Sequence, residues 1–268
     1  MRTSVNLDPV VDERENMQIT DTAALVTGGA SGLGGATAKA LAAKGARVFA
    51  LDLAGAIANA EQVEGITYVE ADVTDPEQVR TAVTTAAESG VPLRTVVNCA
   101  GIGPSARILS KKGPHDLALY AKVVQINLIG SFNVLTLAAE AIAKTEPLAD
   151  NARGVVINTA SIAAFDGQIG QVAYSSSKGG IVGMTLPAAR DLASHGIRVL
   201  TIAPGIVDTP MLATVSEEFR ASLAEGVPFP KRLARPDEYA QLALSLIDHD
   251  YLNGEVIRMD GSLRMAPR

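Results

Sequence analysis

The 268-residue sequence predicts an α/β fold, a single domain built on a doubly wound parallel sheet of about seven strands with helices on both faces. Three observations carry this. Short β-branched runs alternate with longer alanine-rich segments, the order that βαβ units require. The runs are almost continuously apolar rather than alternating with polar residues, as strands covered on both sides should be. No linker, repeat or low-complexity block interrupts the series, and the length suits one large domain.

In chain order, AALVT is the first strand, and the helix after it, LGGATAKALAAKG, is expected over 33–44. RVFALD and ITYVEAD are the second and third strands. A helix over 76–89 follows, with Asp75 as N-cap and Pro76 as its first residue. TVVNCA is the fourth strand, a long apolar helix covers 116–145, and GVVINTAS is the fifth strand. A helix over 173–194 leads to RVLTIAPG, and helices over 216–225 and 236–248 precede the last strand, EVIRMDG. Residues 1–20 read as a flexible tail and 21–268 as the domain, with a substrate loop near 204–228. The loops from Gly101 to Pro114 and from Pro204 to Ser216 both begin at a strand's carboxyl end, where open parallel sheets bind ligands.

The formal charge is −6, with Lys and Arg scattered singly, which argues against nucleic acid or an anionic membrane as partner. Cys99 is the sole cysteine, so no internal disulfide forms and a reducing, cytoplasmic setting is expected. A small core residue is the favoured reading of it. The tail carries Asp8, Asp12, Glu13 and Glu15 against Arg2 and Arg14, unlike a signal or transit peptide. The longest uncharged run, between Lys122 and Glu140, is broken by Gln125, Asn127 and Asn133 and reads as a core helix of a soluble protein. His115, His195 and His249 have no metal-ligand spacing.

Gly28, Gly32 and Gly34 fall between the first strand and its helix. They suit a tight turn, close approach of backbone N–H groups to a diphosphate, and packing of helix on strand; the helix N-terminus would face the phosphates. Taken alone, the triplet fits a glycine-rich surface turn about as well. Asp52, at the end of the second strand, can accept both hydroxyls of an adenosine ribose and would repel a 2′-phosphate, and no Arg or Lys stands nearby to offset it. This favours NAD over NADP on a Rossmann-type fold. At the end of the third strand, Asp72 can hold an adenine amino group while Val73 packs against the ring.

Tyr174 and Lys178 stand four apart on one helix face, among Ser175 to Ser177, Gly179 and Gly180, whose small side chains admit a flat ring and a substrate. An ammonium about 4 Å from the phenol is expected to draw its pKa from about 10 towards neutrality, where general acid–base catalysis works best. Ser161, closing the fifth strand, can donate to a substrate oxygen. Asn127 is polar within an apolar helix and needs a partner: a water behind Lys178, or ordinary buried packing.

Together, TGGASGLG (27–34), DV (72–73), NCAG (98–101), Asn127, Ser161, YSSSK (174–178) and the stretch from Pro204 to Thr209 resemble the short-chain dehydrogenase/reductase family over nearly the whole chain. GVVINTASIAAFDGQIGQVAYSSSKGGIVGMTLPAARDLASHGIRVLTIAPG and YLNGEVIRMDGSLRM resemble its type-2 3-hydroxyacyl-CoA dehydrogenase subgroup, also called 17β-hydroxysteroid dehydrogenase type 10. The resemblance implies an NAD-dependent oxidoreductase, usually a homotetramer, acting on secondary alcohols of acyl-CoA or steroid skeletons. It implies an Asn127–Ser161–Tyr174–Lys178 tetrad. Ser31 and Leu33, with the glycines, would lie at the diphosphate, Asp52 at the ribose and Asp72 and Val73 at the adenine. Cys99, Ala100 and Gly101 would lie beside the cofactor, and Pro204, Val207 and Thr209 at the carboxamide end. Gln168 would face the substrate. In the implied mechanism Tyr174, as phenolate, takes the alcohol proton and Ser161 holds the oxygen; Lys178 acidifies the phenol and fixes the ribose, and Asn127 relays the proton through a water. A 3-oxoacyl thioester reductase of fatty-acid synthesis, or a non-catalytic dinucleotide-binding scaffold, are the alternatives.

Overall fold

The computed structural model describes residues 17–212 and 216–267. Seven parallel strands make one sheet: β1 (Ala23–Thr27), β2 (Arg47–Asp52), β3 (Ile66–Glu70), β4 (Leu93–Asn98), β5 (Gly154–Thr159), β6 (Ile197–Pro204) and β7 (Val256–Met259). Their spatial order is β3-β2-β1-β4-β5-β6-β7. The direction of winding reverses between β1 and β4, whose register pairs Thr27 with Asn98, and a crevice opens beyond that pair.

Helices cover both faces. On one side α1 (Gly32–Ala43) packs against α7 (Pro236–Asp248), burying Leu41, Tyr239, Ala243 and Leu246 on Val26, Val48 and Val97. On the other, α2 (Pro76–Ala87), α4 (Ser131–Ile142) and α5 (Val172–Leu192) bury Val79, Val83, Leu135, Ile142 and Ala189 on Leu25, Phe49 and Val96. Successive residues of one strand thus enter opposite cores, which explains the unbroken apolar runs. As expected, Asp75 caps α2 by accepting from the Glu77 and Gln78 N–H groups, and Pro76 occupies its first position.

The expected helix over 116–145 is three pieces: α3 (Leu117–Val124), a π turn (Gln125–Gly130) and α4. Leu117–Ile142 is long and apolar enough to cross a membrane by length and composition, but its inner face is packed on the sheet. The expected α6 is present at Glu217–Glu225. A helical turn at Ala54–Ile57 and a two-stranded antiparallel ribbon, Leu109–Ser110 with Gly113–Pro114, were not anticipated from sequence; both are too short to show a hydrophobic period. Residues 1–16 of the expected tail lie outside the described residues. Its last part is not a tail, because Met17 and Ile19 are buried against Leu41 and Val48.

Candidate active site

The loop after β1 is shaped by close approach of backbone to backbone. Gly28 has φ 63°, and a Cβ there would lie 3.0 Å from the Ala100 nitrogen; one on Gly34 would lie 2.3 Å from the Gly28 oxygen. Any side chain at Gly34 would separate the α1 N-terminus from the turn that feeds it. Gly29, which sequence reasoning passed over, is packed onto Ala50 of β2. Ser31 is the N-cap of α1 with its hydroxyl free of the cap, and Leu33 lies in the first turn. N–H groups of that turn therefore face the crevice over β1 and β4.

Asp52 stands at the end of β2 beside this loop. Its two carboxylate oxygens accept from the Ala30 and Leu53 N–H groups at 3.1 and 2.9 Å, holding the charge at the rim. Asp72 is turned inward on Thr74, accepting from its N–H and hydroxyl, and Val73 is buried against Gly130 of the π turn. The backbone after β4 is held by the Thr27 hydroxyl, which accepts from the Cys99 and Ala100 N–H groups, both at 3.1 Å. Gly101 fits between the Asn127 amide and the Lys178 ammonium. Beyond Pro204, Val207 is buried in a parallel bridge with Ala234, and Thr209 lies against Gly32, so this loop crosses to the phosphate side of the crevice.

Ser161 lies two residues past β5 and caps a single 3₁₀ turn, Ile162–Ala164, in which its Oγ accepts from the Ala163 N–H at 3.1 Å. Tyr174 lies in the first turn of α5, close enough to Ser161 for that hydroxyl to favour the phenolate. The Lys178 ammonium is 5.8 Å from the centre of the Tyr174 ring and donates to the Thr159 carbonyl at 2.7 Å. Burial holds it down to about 8 from an ordinary 10.5.

One expectation is corrected here. The phenol is not acidified: burial pushes the Tyr174 pKa up, and Ser161, not Lys178, is what counters it. The lysine's charge is directed at a carbonyl rather than at the phenol oxygen. Of the two readings of Asn127, the contacts support the satisfied amide: it accepts from the Ile102 N–H at 2.8 Å and donates to the Ile102 carbonyl and Ser177 Oγ at 2.9 and 3.0 Å. It clips the loop after β4 to α5, a positioning task.

This combination of glycine loop, rim carboxylate and Ser–Tyr–Lys cluster agrees with comparisons of sequence and structure. Residues 22–219 match the family model described as short chain dehydrogenase. The 3-hydroxyacyl-CoA dehydrogenase type-2 of Bos taurus is 50% identical over 249 residues, covering 91% of this chain and 95% of the relative. That of Drosophila melanogaster is 48% identical, covering 93% and 100%. The crystal structure of 3-hydroxyacyl-CoA dehydrogenase type-2 from Mycobacterium avium superposes with a TM-score of 0.87 at 43% identity, covering 92% of this chain and 98% of that one. The chain belongs to the short-chain dehydrogenase family.

As a short-chain dehydrogenase it is an oxidoreductase that uses a nicotinamide dinucleotide. The residues present fit that group, since the glycine cradle would be filled by any Cβ and N–H groups line it. Cys99 contributes backbone to the crevice, while its thiol is turned away to Thr159 and Tyr239, where burial pushes its pKa up. It is a small residue packed on the core, the reading the sequence favoured. Gln168 lines a cavity on the chain between Ser161 and Tyr174, and its side-chain amide donates to the Ala266 carbonyl at 2.9 Å. No cluster of three metal-ligating side chains occurs among the described residues.

Proposed function

We propose that this short-chain dehydrogenase uses NAD to interconvert 3-hydroxyacyl and 3-oxoacyl thioesters of coenzyme A. The observation that carries the coenzyme A reading is a charge pattern. In a chain of net charge −6, Arg107 lines a cavity of about 440 Å³, and the exposed Lys111 and Lys112 form the turn of the ribbon whose first residue, Leu109, lines it too. The opposite wall of that cavity, Gly167 to Gly170 and Ser175, lies on the chain joining Ser161 to Tyr174 and just past it. Three cations there suit a polyanionic thioester better than a neutral sterol. The names of the relatives from Bos taurus and Drosophila melanogaster agree.

A bound nicotinamide dinucleotide supplies or receives the hydride at the carbinol carbon. In the reducing direction Ser161 donates to the carbonyl oxygen, and Tyr174, kept protonated by its burial, gives that oxygen its proton. Reversed, Ser161 holds the alcohol oxygen and Tyr174, as phenolate, takes the alcohol proton and becomes the phenol. Lys178, fixed by Thr159, presents its remaining N–H donors towards Gly101 and the crevice, where ribose hydroxyls can accept them. Assembly as a homotetramer is supported by the exposed Ile129 and Phe132 on the outer face of the π turn and α4, and by Leu186 on α5. Residence in the cytoplasm is supported by the single, reduced cysteine.

The test is an assay of NADH and NADPH against acetoacetyl-CoA, longer thioesters, ketosteroids and simple ketones. The combined variant Arg107→Ser/Lys111→Ser/Lys112→Ser is expected to raise KM for acetoacetyl-CoA about tenfold, since exposed pairs contribute up to about 1 kcal/mol each. It should leave S-acetoacetylpantetheine, which lacks the nucleotide phosphates, unchanged. Equal effects on both, or turnover of ketosteroids alone, would refute the assignment. Asp52→Ala is expected to reduce the preference for NAD over NADP at least about tenfold, a loss of about 1.4 kcal/mol of discrimination. An unchanged ratio of kcat/KM for the two cofactors would show that the carboxylate does not read the ribose.

A further inference from the structure

We infer that the C-terminal segment Asp260–Pro267, pinned by Arg258, is the wall that sets how long an acyl chain the cavity accepts; this rests on the thioester reading above. The segment leaves β7 and runs between the two loops that bracket the substrate end of the crevice. Towards the loop carrying the catalytic pair, the Ile169 N–H donates to the Pro267 carbonyl at 3.0 Å and the Gln168 amide to the Ala266 carbonyl at 2.9 Å. Residues 167–170 therefore line the cavity on one side and rest on this segment on the other. Towards the loop after β6, the Phe229 N–H donates to the Gly261 carbonyl, a Cβ on Gly261 would lie 2.6 Å from Val227, and Leu263 is buried with Ile162 and Val227.

Arg258 joins these contacts. Its guanidinium bonds Asp166 at 2.5 Å, Asp260 at 2.7 Å and the Leu263 carbonyl at 3.0 Å, and lies 5.1 Å from the centre of the Phe165 ring. Arg264 bonds Asp260 from outside, and the Met265 N–H reaches Asp166. Every partner is a group on the loop after Ser161 or on the segment itself. None touches Tyr174, Lys178 or the glycine cradle, so Arg258 acts through the wall and not on the reacting atoms. Releasing it lets residues 166–170 recede from the cavity, which removes the surface that a short chain packs on and opens room for a long one.

The experiment compares Arg258→Met, and separately a chain ending at Arg264, with the unaltered protein across 3-oxoacyl-CoA substrates from four to twelve carbons. Both variants are expected to raise the ratio of kcat/KM for the twelve-carbon over the four-carbon substrate about fivefold, with NADH affinity within about twofold of the unaltered protein. A uniform loss across chain lengths, or a ratio within about twofold of the unaltered protein in the shortened chain, would overturn the inference. Should Arg258→Met fail to fold, the shortened chain, which keeps every Arg258 ion pair, decides. If the unaltered protein turns over no thioester, the functional reading fails instead, and the same ratio is then read on 2-alkanones of the same lengths.

Discussion

Tyr174→Phe is expected to lower turnover by about 10³-fold while NADH binds within about twofold of its original affinity, the range that a positioned proton donor contributes. The change removes only the phenol oxygen. The ring stays in place beneath the Lys178 ammonium, and the glycine cradle is untouched. Steady-state kinetics with acetoacetyl-CoA and a fluorescence titration with NADH check it. Residual activity above about a tenth of the original would remove Tyr174 as the proton donor. The direction of catalysis should carry a pH signature too. Burial keeps the phenol protonated, so reduction runs on the form present at neutral pH, whereas oxidation needs the rarer phenolate and should accelerate with rising pH.

The second large effect belongs to Lys178. Since its ammonium is held down to about 8, kcat/KM for NADH, which reports ionisations of the free protein, is expected to be level below that pH and to fall about tenfold per unit above it. A profile flat to pH 10 would show that the charged amine is not required for cofactor capture. Stability should run the opposite way. Below pH 8 the ammonium is charged in folded and unfolded chains alike, and its burial opposes folding. Between 8 and 10.5 the folded chain releases its proton first, the unfolded chain holds more protons, and the free energy of unfolding rises with pH. Lys178→Met should therefore lower turnover by about 10²-fold and abolish the rise in unfolding free energy between pH 8 and 10.5. A variant that keeps that rise would contradict the account.

The sheet was legible because each strand feeds two cores, so its apolar run stands out from the alanine-rich helices. Asp75–Pro76 was legible because a cap is chemistry local to a few residues. Tyr174, Lys178 and Ser161 come together as spacing and strand ends suggested. What each of their neighbours does was not legible, and the reason is common to all of them. Lys178 is met by the Thr159 carbonyl, Asn127 by both backbone groups of Ile102, and Gln168 by the carbonyl of Ala266. Every residue type carries the same backbone groups, so such a partner leaves no mark in sequence. The π turn is hidden for a related reason, since one added residue per turn leaves the composition of an apolar helix unaltered.

The junction of β1 with β4 pairs residues more distant along the chain than the partners of any other two strands in the sheet. It is consequently the seam with the greatest entropic penalty to close during folding. The coenzyme's crevice sits on that same seam. Occupancy therefore holds that seam closed, and a nucleotide that binds only the folded chain adds to its stability in step with nucleotide concentration.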